Sequence, residues 1–153
     1  MRIVLAANPG IGHVLPLLPL ASLAHAAGHE VTFLGGASLA PVLAPHGFRL
    51  VEAGPPDLRS VFGAIPEAAG LTGKRHAALI WARGFGGLVA PALAGALLDL
   101  AETWRPDLVL HDDSEQGTWI AAERLGIPHV ALQATAWSAG LGANSGSRCR
   151  QAG

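Results

Sequence analysis

The sequence predicts an α/β domain, a mainly parallel sheet with helices on both faces, and three observations predict it. Short aliphatic runs without alternation, at residues 2–8 and 107–111, read as strands buried on both sides. Stretches of helical pattern, bounded by proline and glycine, separate these runs. The two kinds of segment alternate along the chain, the pattern of βαβ units, and right-handed crossovers then place helices on both faces. At 153 residues one domain with one core is expected.

Each element follows in order. Residues 2–8 form the first strand, broken at Asn8-Pro9-Gly10. The next residues, Gly10-Ile11-Gly12-His13, read as a tight turn leaving His13 at the carboxyl end of a strand and beside a helix N-terminus. Residues 15–27 read as that helix. Pro16 and Pro19 lie in or near its first turn, where a missing N–H costs least, and Gly28 is a natural stop. Glu30 to Leu34 is the second strand, ended by Gly35-Gly36. Residues 38–46 suit a short helix, with Pro41 near its start and Gly47 past its end. Phe48 to Glu52 alternates with period two and reads as the third strand. Over 53–75 the character changes: Gly54-Pro55-Pro56 breaks the chain, and Gly63, Pro66, Gly70 and Gly73 punctuate what reads as a long mobile loop with short helical pieces. Residues 76–104 resume a helical pattern, with a break expected near Gly84-Gly86-Gly87 and a restart at Pro91. Asp107 to His111 is another strand. Asp112-Asp113-Ser114 can cap a helix over about 115–125, Gly126 stops it, and Ile127 to Gln133 is the fifth strand. After Trp137 periodicity is lost, and 138–153 reads as an irregular tail.

Composition excludes several classes. Half of the residues are hydrophobic and 14% are charged, which argues against disorder. A net charge of -1 without a basic block gives no footprint for nucleic acid. The single cysteine, Cys149, precludes a disulfide within the chain and makes a reducing cytoplasm the simplest setting. From Ile3 to His29 there is no Asp, Glu, Lys or Arg, a length that can span a bilayer. Asn8, Pro9, Gly10, Gly12, Pro16 and Pro19 interrupt it, however, so neither a transmembrane segment nor a signal peptide is expected.

The glycine turn is a poor dinucleotide fingerprint. A third glycine would fall at Leu15, and Gly35-Gly36 stands where a ribose-binding acid is needed. It is not a P-loop either, since no Gly-Lys-Ser/Thr follows. Metal is not expected: His111, Asp112 and Asp113 point to alternate faces of a strand, and Gly28 breaks the helix between His25 and His29. There is no Gly-x-Ser-x-Gly elbow, and Cys149 lies in the tail. What remains is His13 with Asp112, both at the carboxyl edge of one parallel sheet, where ligands bind in open α/β folds. Histidine titrates near neutrality, and if the two strands are neighbours the carboxylate can hold its tautomer and stabilise its protonated form. The competing reading is a turn histidine bonded to local backbone and an N-cap aspartate, with Asp113 or Ser114 equally able to cap. Pattern alone leaves the two readings even. Trp81, Phe85 and Trp119 are either core or the lining of an acceptor pocket, with core favoured for helical aromatics.

An ordered set of segments carries a resemblance over residues 1 to about 137: Met1 to Leu5, Pro9 to His13, Pro16 to Ala21, Ala26 to Phe33, Gly47-Phe48, Trp104 to Asp112 and Ala121 to Val130. They resemble the N-terminal, acceptor-binding domain of GT-B glycosyltransferases of family 1, the UDP-glycosyltransferase-like enzymes, and within them the bacterial branch acting on macrolides, polyketides and other natural products. The resemblance implies a Rossmann-like, doubly wound sheet over 1–137 with 53–75 as its variable loop. It implies that His13 is the general base for an acceptor hydroxyl and Asp112 its partner. The hydroxyl would attack the anomeric carbon of a nucleotide-sugar donor with inversion, without metal or bound cofactor. Gly10, Ile11, Gly12, Phe62, Trp81, Phe85 and Asp113 fall to acceptor or donor binding on the same ground. The family's C-terminal nucleotide-sugar domain has no counterpart here. The expectation is therefore an acceptor-binding half that takes a small hydrophobic molecule, is inactive alone, and self-associates or pairs with a separate donor-domain chain. The alternative is a non-catalytic partner or small-molecule-binding protein derived from such an enzyme.

Overall fold

The protein is represented by a computed structural model that describes residues 1–133. Trp137, Cys149 and the tail expected over 138–153 lie outside them. Five strands form one parallel sheet: β1 (Arg2–Ala6), β2 (Glu30–Gly35), β3 (Arg49–Glu52), β4 (Leu108–Asp112) and β5 (His129–Leu132). Their order is β3-β2-β1-β4-β5, with Ala6 of β1 opposite Leu34 of β2 on one side and His111 of β4 on the other. The chain thus winds outward from β1 through β2 to β3, then returns to the far side of β1 as β4. The carboxyl ends of β1 and β4 flank that reversal, the place where open α/β sheets leave a crevice.

The lack of alternation in β1 has a simple cause. Ile3 and Leu5 face one layer while Val4 and Ala6 face the other, and both layers are covered. On one face Val4, Ala6, Leu34 and Val109 pack under Val89, Leu93, Leu97 and Leu100, with Ala121 and Ala122 beside them. On the other, Ile3, Leu5, Phe33 and Leu110 pack under Val14, Leu17, Leu18, Ala21, Leu39 and Leu43.

Helices depart from expectation in instructive ways. The first begins at Ile11 rather than Leu15: α1 (Ile11–Val14), a 3-10 turn (Leu15–Leu17), then α2 (Leu18–Ala26). Pro19 has no N–H for the Leu15 carbonyl, so the Leu18 N–H takes that acceptor and tightens the turn. His13 consequently lies in the first helical turn, not in the loop before it. Next, α3 (Ala40–Leu43) runs between 3-10 turns at Ala37–Leu39 and Ala44–His46 and ends on Gly47 at φ +71°.

Within 53–75 the short helical pieces expected in the loop are α4 (Leu58–Gly63) and a 3-10 turn (Pro66–Ala68). Asp57 caps α4 by accepting the Ser60 N–H at 2.7 Å, and Val61 and Ile65 are buried. The break expected at Gly84-Gly86-Gly87 does not occur. Instead α5 (Gly73–Leu79) widens into a π-helical segment (Ile80–Val89) and continues as α6 (Ala90–Thr103). Widening brings the Trp81 and Ala82 carbonyls to 3.3 and 3.5 Å from where side chains at Gly86 and Gly87 would begin. The Ala90 N–H donates to the Phe85 carbonyl, five residues back, just before Pro91, which has no N–H to give. Gly73–Thr103 is long and apolar enough to cross a membrane by length and composition. Here Val89, Leu93, Leu97 and Leu100 of that stretch cover the sheet.

The last helix, α7, runs over Gly117–Leu125 and ends on Gly126 at φ +63°. Its first N–H groups are not capped by Asp112, Asp113 or Ser114. Glu115 takes them, accepting Gly117 N–H at 2.5 Å and Thr118 N–H at 3.0 Å. A side chain at Gly117 would overlap the Ala90 carbonyl, so α7 can cross the start of α6 only with glycine there.

Candidate active site at the sheet reversal

With α7 capped by Glu115, Asp112 is released for another partner. Its side chain is fully buried at the end of β4. The Asn8 N–H, at the end of β1, donates to Oδ2 at 3.0 Å, and the Ser114 N–H donates to Oδ1 at 2.8 Å. The Ser114 hydroxyl also donates to Oδ1, and its oxygen accepts from Asn8 Nδ2 at 2.7 Å. His13 Nδ1 stands 3.3 Å from Asp112 Oδ2 and 3.3 Å from Ser114 Oγ, with 15% of the side chain exposed. Burial pushes the Asp112 carboxyl up. The His13 hydrogen bond and charge, then Ser114 and the Asn8 N–H, outweigh it and hold Asp112 below the ordinary carboxylate range. The group facing His13 is therefore an ordered carboxylate. Among the described residues nothing hydrogen-bonds the other ring nitrogen, Nε2.

The π-helical segment supplies the neighbouring wall. Phe85 meets the His13 ring edge-on with centroids 6.1 Å apart, and Trp81 meets Phe85 at 5.7 Å and 90°. Gly10 closes the opposite side: a side chain there would begin 2.8 Å from Leu58 Cδ1 and 3.1 Å from His13 Cδ2. Glycine at this position thus leaves room for both Leu58 of α4 and the His13 ring. Gly12 borders open space and Ile11 is exposed on the same turn. Asp113 follows the pair, its N–H on the Leu132 carbonyl and its Oδ1 buried without a partner among the described residues; the same holds for Trp81 Nε1. Phe62 is not brought to His13. It is exposed and its ring meets His76. Trp119, favoured as core, is instead exposed on α7 beside His129.

Sequence reasoning missed Asn8 as a tie between strands and Ser114 as the hydroxyl beneath the pair. It also missed a second cluster. His111 Nδ1 donates to the Asp112 carbonyl at 3.1 Å, His111 Nε2 lies 3.2 Å from His129 Nδ1, and His129 Nε2 lies 3.0 Å from Glu123 Oε1. Only Asn8's place at the strand end and Ser114's place two after Asp112 hinted at the first network. Among the described residues no three His, Cys, Asp or Glu side chains come together in a way that could hold a metal.

Fold and site together define a class: a doubly wound α/β protein with a carboxylate-backed imidazole at the carboxyl edge of its sheet. No protein-family model matches the chain. The elloramycin glycosyltransferase of Streptomyces olivaceus is 34% identical over 137 residues, covering 85% of this chain and 35% of that protein. The L-demethylnoviosyl transferase of Streptomyces niveus is 32% identical over 137 residues, covering 85% and 34%. Among solved structures, a glycosyltransferase of Streptomyces sp. SF2575 superposes with a TM-score of 0.67 at 30% identity over 86% of this chain and 38% of that one. SnogD from Streptomyces nogalater does so at 0.68 and 28%, over 88% and 34%. Sequence and fold thus relate the chain to the GT-B glycosyltransferases of antibiotic and other natural-product biosynthesis. It spans about a third of the length of the curated relatives it matches.

Proposed function

We propose that the chain is the acceptor-binding part of an inverting glycosyltransferase acting on a hydroxyl of a small hydrophobic natural product. One observation carries this reading: His13 Nδ1 is paired with the buried Asp112 at 3.3 Å while Nε2 has no hydrogen bond from the described residues. In the reaction, Nε2 takes the acceptor's hydroxyl proton and Asp112 stabilises the imidazolium that forms. The oxygen attacks the anomeric carbon from the face opposite the leaving group. The nucleoside diphosphate then departs with the bonding electron pair, in a single displacement. Phe85, Trp81 and the Gly10 turn wall the acceptor side in this reading.

A nucleoside-diphosphate sugar is the donor in this reading, supported by the thymidine diphosphate bound in a second structure of the SF2575 enzyme. Charge on the departing diphosphate needs donors that His13 and Asp112 do not supply. The chain is therefore expected to need a donor-binding domain to transfer sugar and to be inactive alone. A cytoplasmic setting goes with this reading on cysteine usage.

The test supplies the chain with the donor-binding domain of a related enzyme and follows sugar transfer to hydroxylated aglycones. His13→Ala is expected to lower kcat by about 10²- to 10⁴-fold, the usual range for a lost general base. Turnover retained in that variant removes His13 from the role. Transfer by the unassisted chain removes the need for a donor domain.

A further inference from the structure

We infer that Ser114, its oxygen held by Asn8, is a positioning residue that fixes His13 as the Nδ1–H tautomer and so keeps Nε2 as the basic nitrogen. The inference deepens the function proposed above and rests on it for its consequence, while its chemistry can be read without any substrate.

Its ground is the direction of one hydroxyl. Ser114 Oγ has a single proton and three polar neighbours: Asn8 Nδ2 at 2.7 Å, His13 Nδ1 at 3.3 Å and Asp112 Oδ1. An amide nitrogen only donates, so Asn8 occupies one lone pair of Oγ and turns the hydroxyl proton away from itself. Two acceptors then compete for that proton. The Asp112 carboxylate is ionised and closer, and it takes the proton. The second lone pair of Oγ is left facing His13 Nδ1, beside Asp112 Oδ2 at the same 3.3 Å. Two acceptors converge on one ring nitrogen, and that nitrogen must carry the proton. With the Ser114 hydroxyl rotated toward His13, the ring would accept at Nδ1 and carry its proton on Nε2. A bare lone pair would then face a carboxylate, and the nitrogen on the open side would no longer be a base. Asn8 and Ser114 never touch an acceptor in this arrangement. They act through Asp112 and His13.

The experiment is long-range ¹H–¹⁵N correlation of the histidine rings in the chain as it is, above the pH at which the ring is neutral. In the unsubstituted protein His13 is expected to show a protonated, pyrrole-type Nδ1 and a pyridine-type Nε2. Ser114→Ala removes one of the two acceptors and is expected to lose the single-tautomer pattern, with an Nε2–H population appearing. Ser114→Thr keeps the hydroxyl and is expected to restore it. Should Ser114→Ala fail to fold, Ser114→Cys puts a far weaker acceptor in place of the oxygen and gives the same reading. A protonated Nε2 in the unsubstituted chain overturns the inference. So does a pure Nδ1–H ring in Ser114→Ala, which assigns the tautomer to Asp112 alone. No donor or acceptor enters the measurement, so its failure is distinct from failure of the transfer assay.

Discussion

Two histidine–carboxylate pairs flank the end of β4, and they teach opposite things. His129 Nε2 lies 3.0 Å from Glu123 Oε1, closer than the 3.3 Å between His13 and Asp112. By distance alone the His129 pair is the better one. Glu123 has 68% of its side chain exposed, however, and His129 has both ring nitrogens engaged, one by Glu123 and one by His111. Asp112 is buried and held by Asn8 and Ser114, and it leaves one His13 nitrogen without a hydrogen bond among the described residues. What separates a candidate site from a surface contact here is an ordered partner and an unused nitrogen, more than a short distance.

The largest expected contrast comes from deleting each carboxylate. Asp112→Ala strands the Asn8 and Ser114 N–H groups and the His13 ring in a buried place, at a cost of about 3–5 kcal/mol of folding stability. It should also lower transfer by about 10²- to 10⁴-fold when a donor-binding domain is supplied. Glu123→Ala should cost about 0–1 kcal/mol, as exposed pairs do, and leave transfer unchanged. Denaturant unfolding read alongside the transfer assay checks both. Equal losses for the two variants would erase the contrast.

A smaller effect separates the two regions structurally. Gly117→Ala drives a methyl into the Ala90 carbonyl and should destabilise by about 1–3 kcal/mol while displacing α7. Since α7 carries Glu123 while Asp112 is tied to β1, ring resonances of His129 are expected to move and those of His13 to stay. Movement of His13 instead would mean that α7, not the Asn8–Ser114 tie, holds the site.

Acid should undo the two regions in sequence. Burial, partly offset by the Asp112 carbonyl, holds His111 below the ordinary imidazole value of 6.5. As pH falls below 6.5 the unfolded chain binds a proton that the folded chain refuses, so stability declines from there to the folded value. Asp112, held below 3.8, contributes stability present above that value and lost as pH falls through its folded value. Melting at stepped pH should show both declines. His111→Asn should flatten the first and keep the second. A first decline that survives the substitution would assign it elsewhere.

Much of the fold was legible because its signals are local. Buried strands announce themselves by aliphatic runs, and Gly28, Gly47 and Gly126 do end helical stretches at positive φ. Pairing of β1 with β4, which joins the ends carrying His13 and Asp112, was left conditional in the sequence because strand order is a long-range property. The misreadings share a cause: a local rule met a tertiary constraint. Gly84-Gly86-Gly87 suggested a break, yet packing of Val89, Leu93 and Leu97 on the sheet keeps the helix continuous and a wider turn absorbs the glycines. Asp112-Asp113-Ser114 suggested a cap, yet Glu115, one residue on, reaches the helix start and frees Asp112. By contrast, the short helical pieces expected within the 53–75 loop are there, with Val61 and Ile65 packed against Gly84 of the distant π-helical segment.

The most direct test of His13 as the nitrogen that meets an acceptor is to titrate the ¹⁵N-labelled chain with a hydroxylated hydrophobic aglycone. His13 Nε2 is expected to shift as it accepts the hydroxyl's hydrogen bond, with His129 unmoved. Saturable binding that leaves His13 Nε2 in place, or that moves His129 instead, would contradict it.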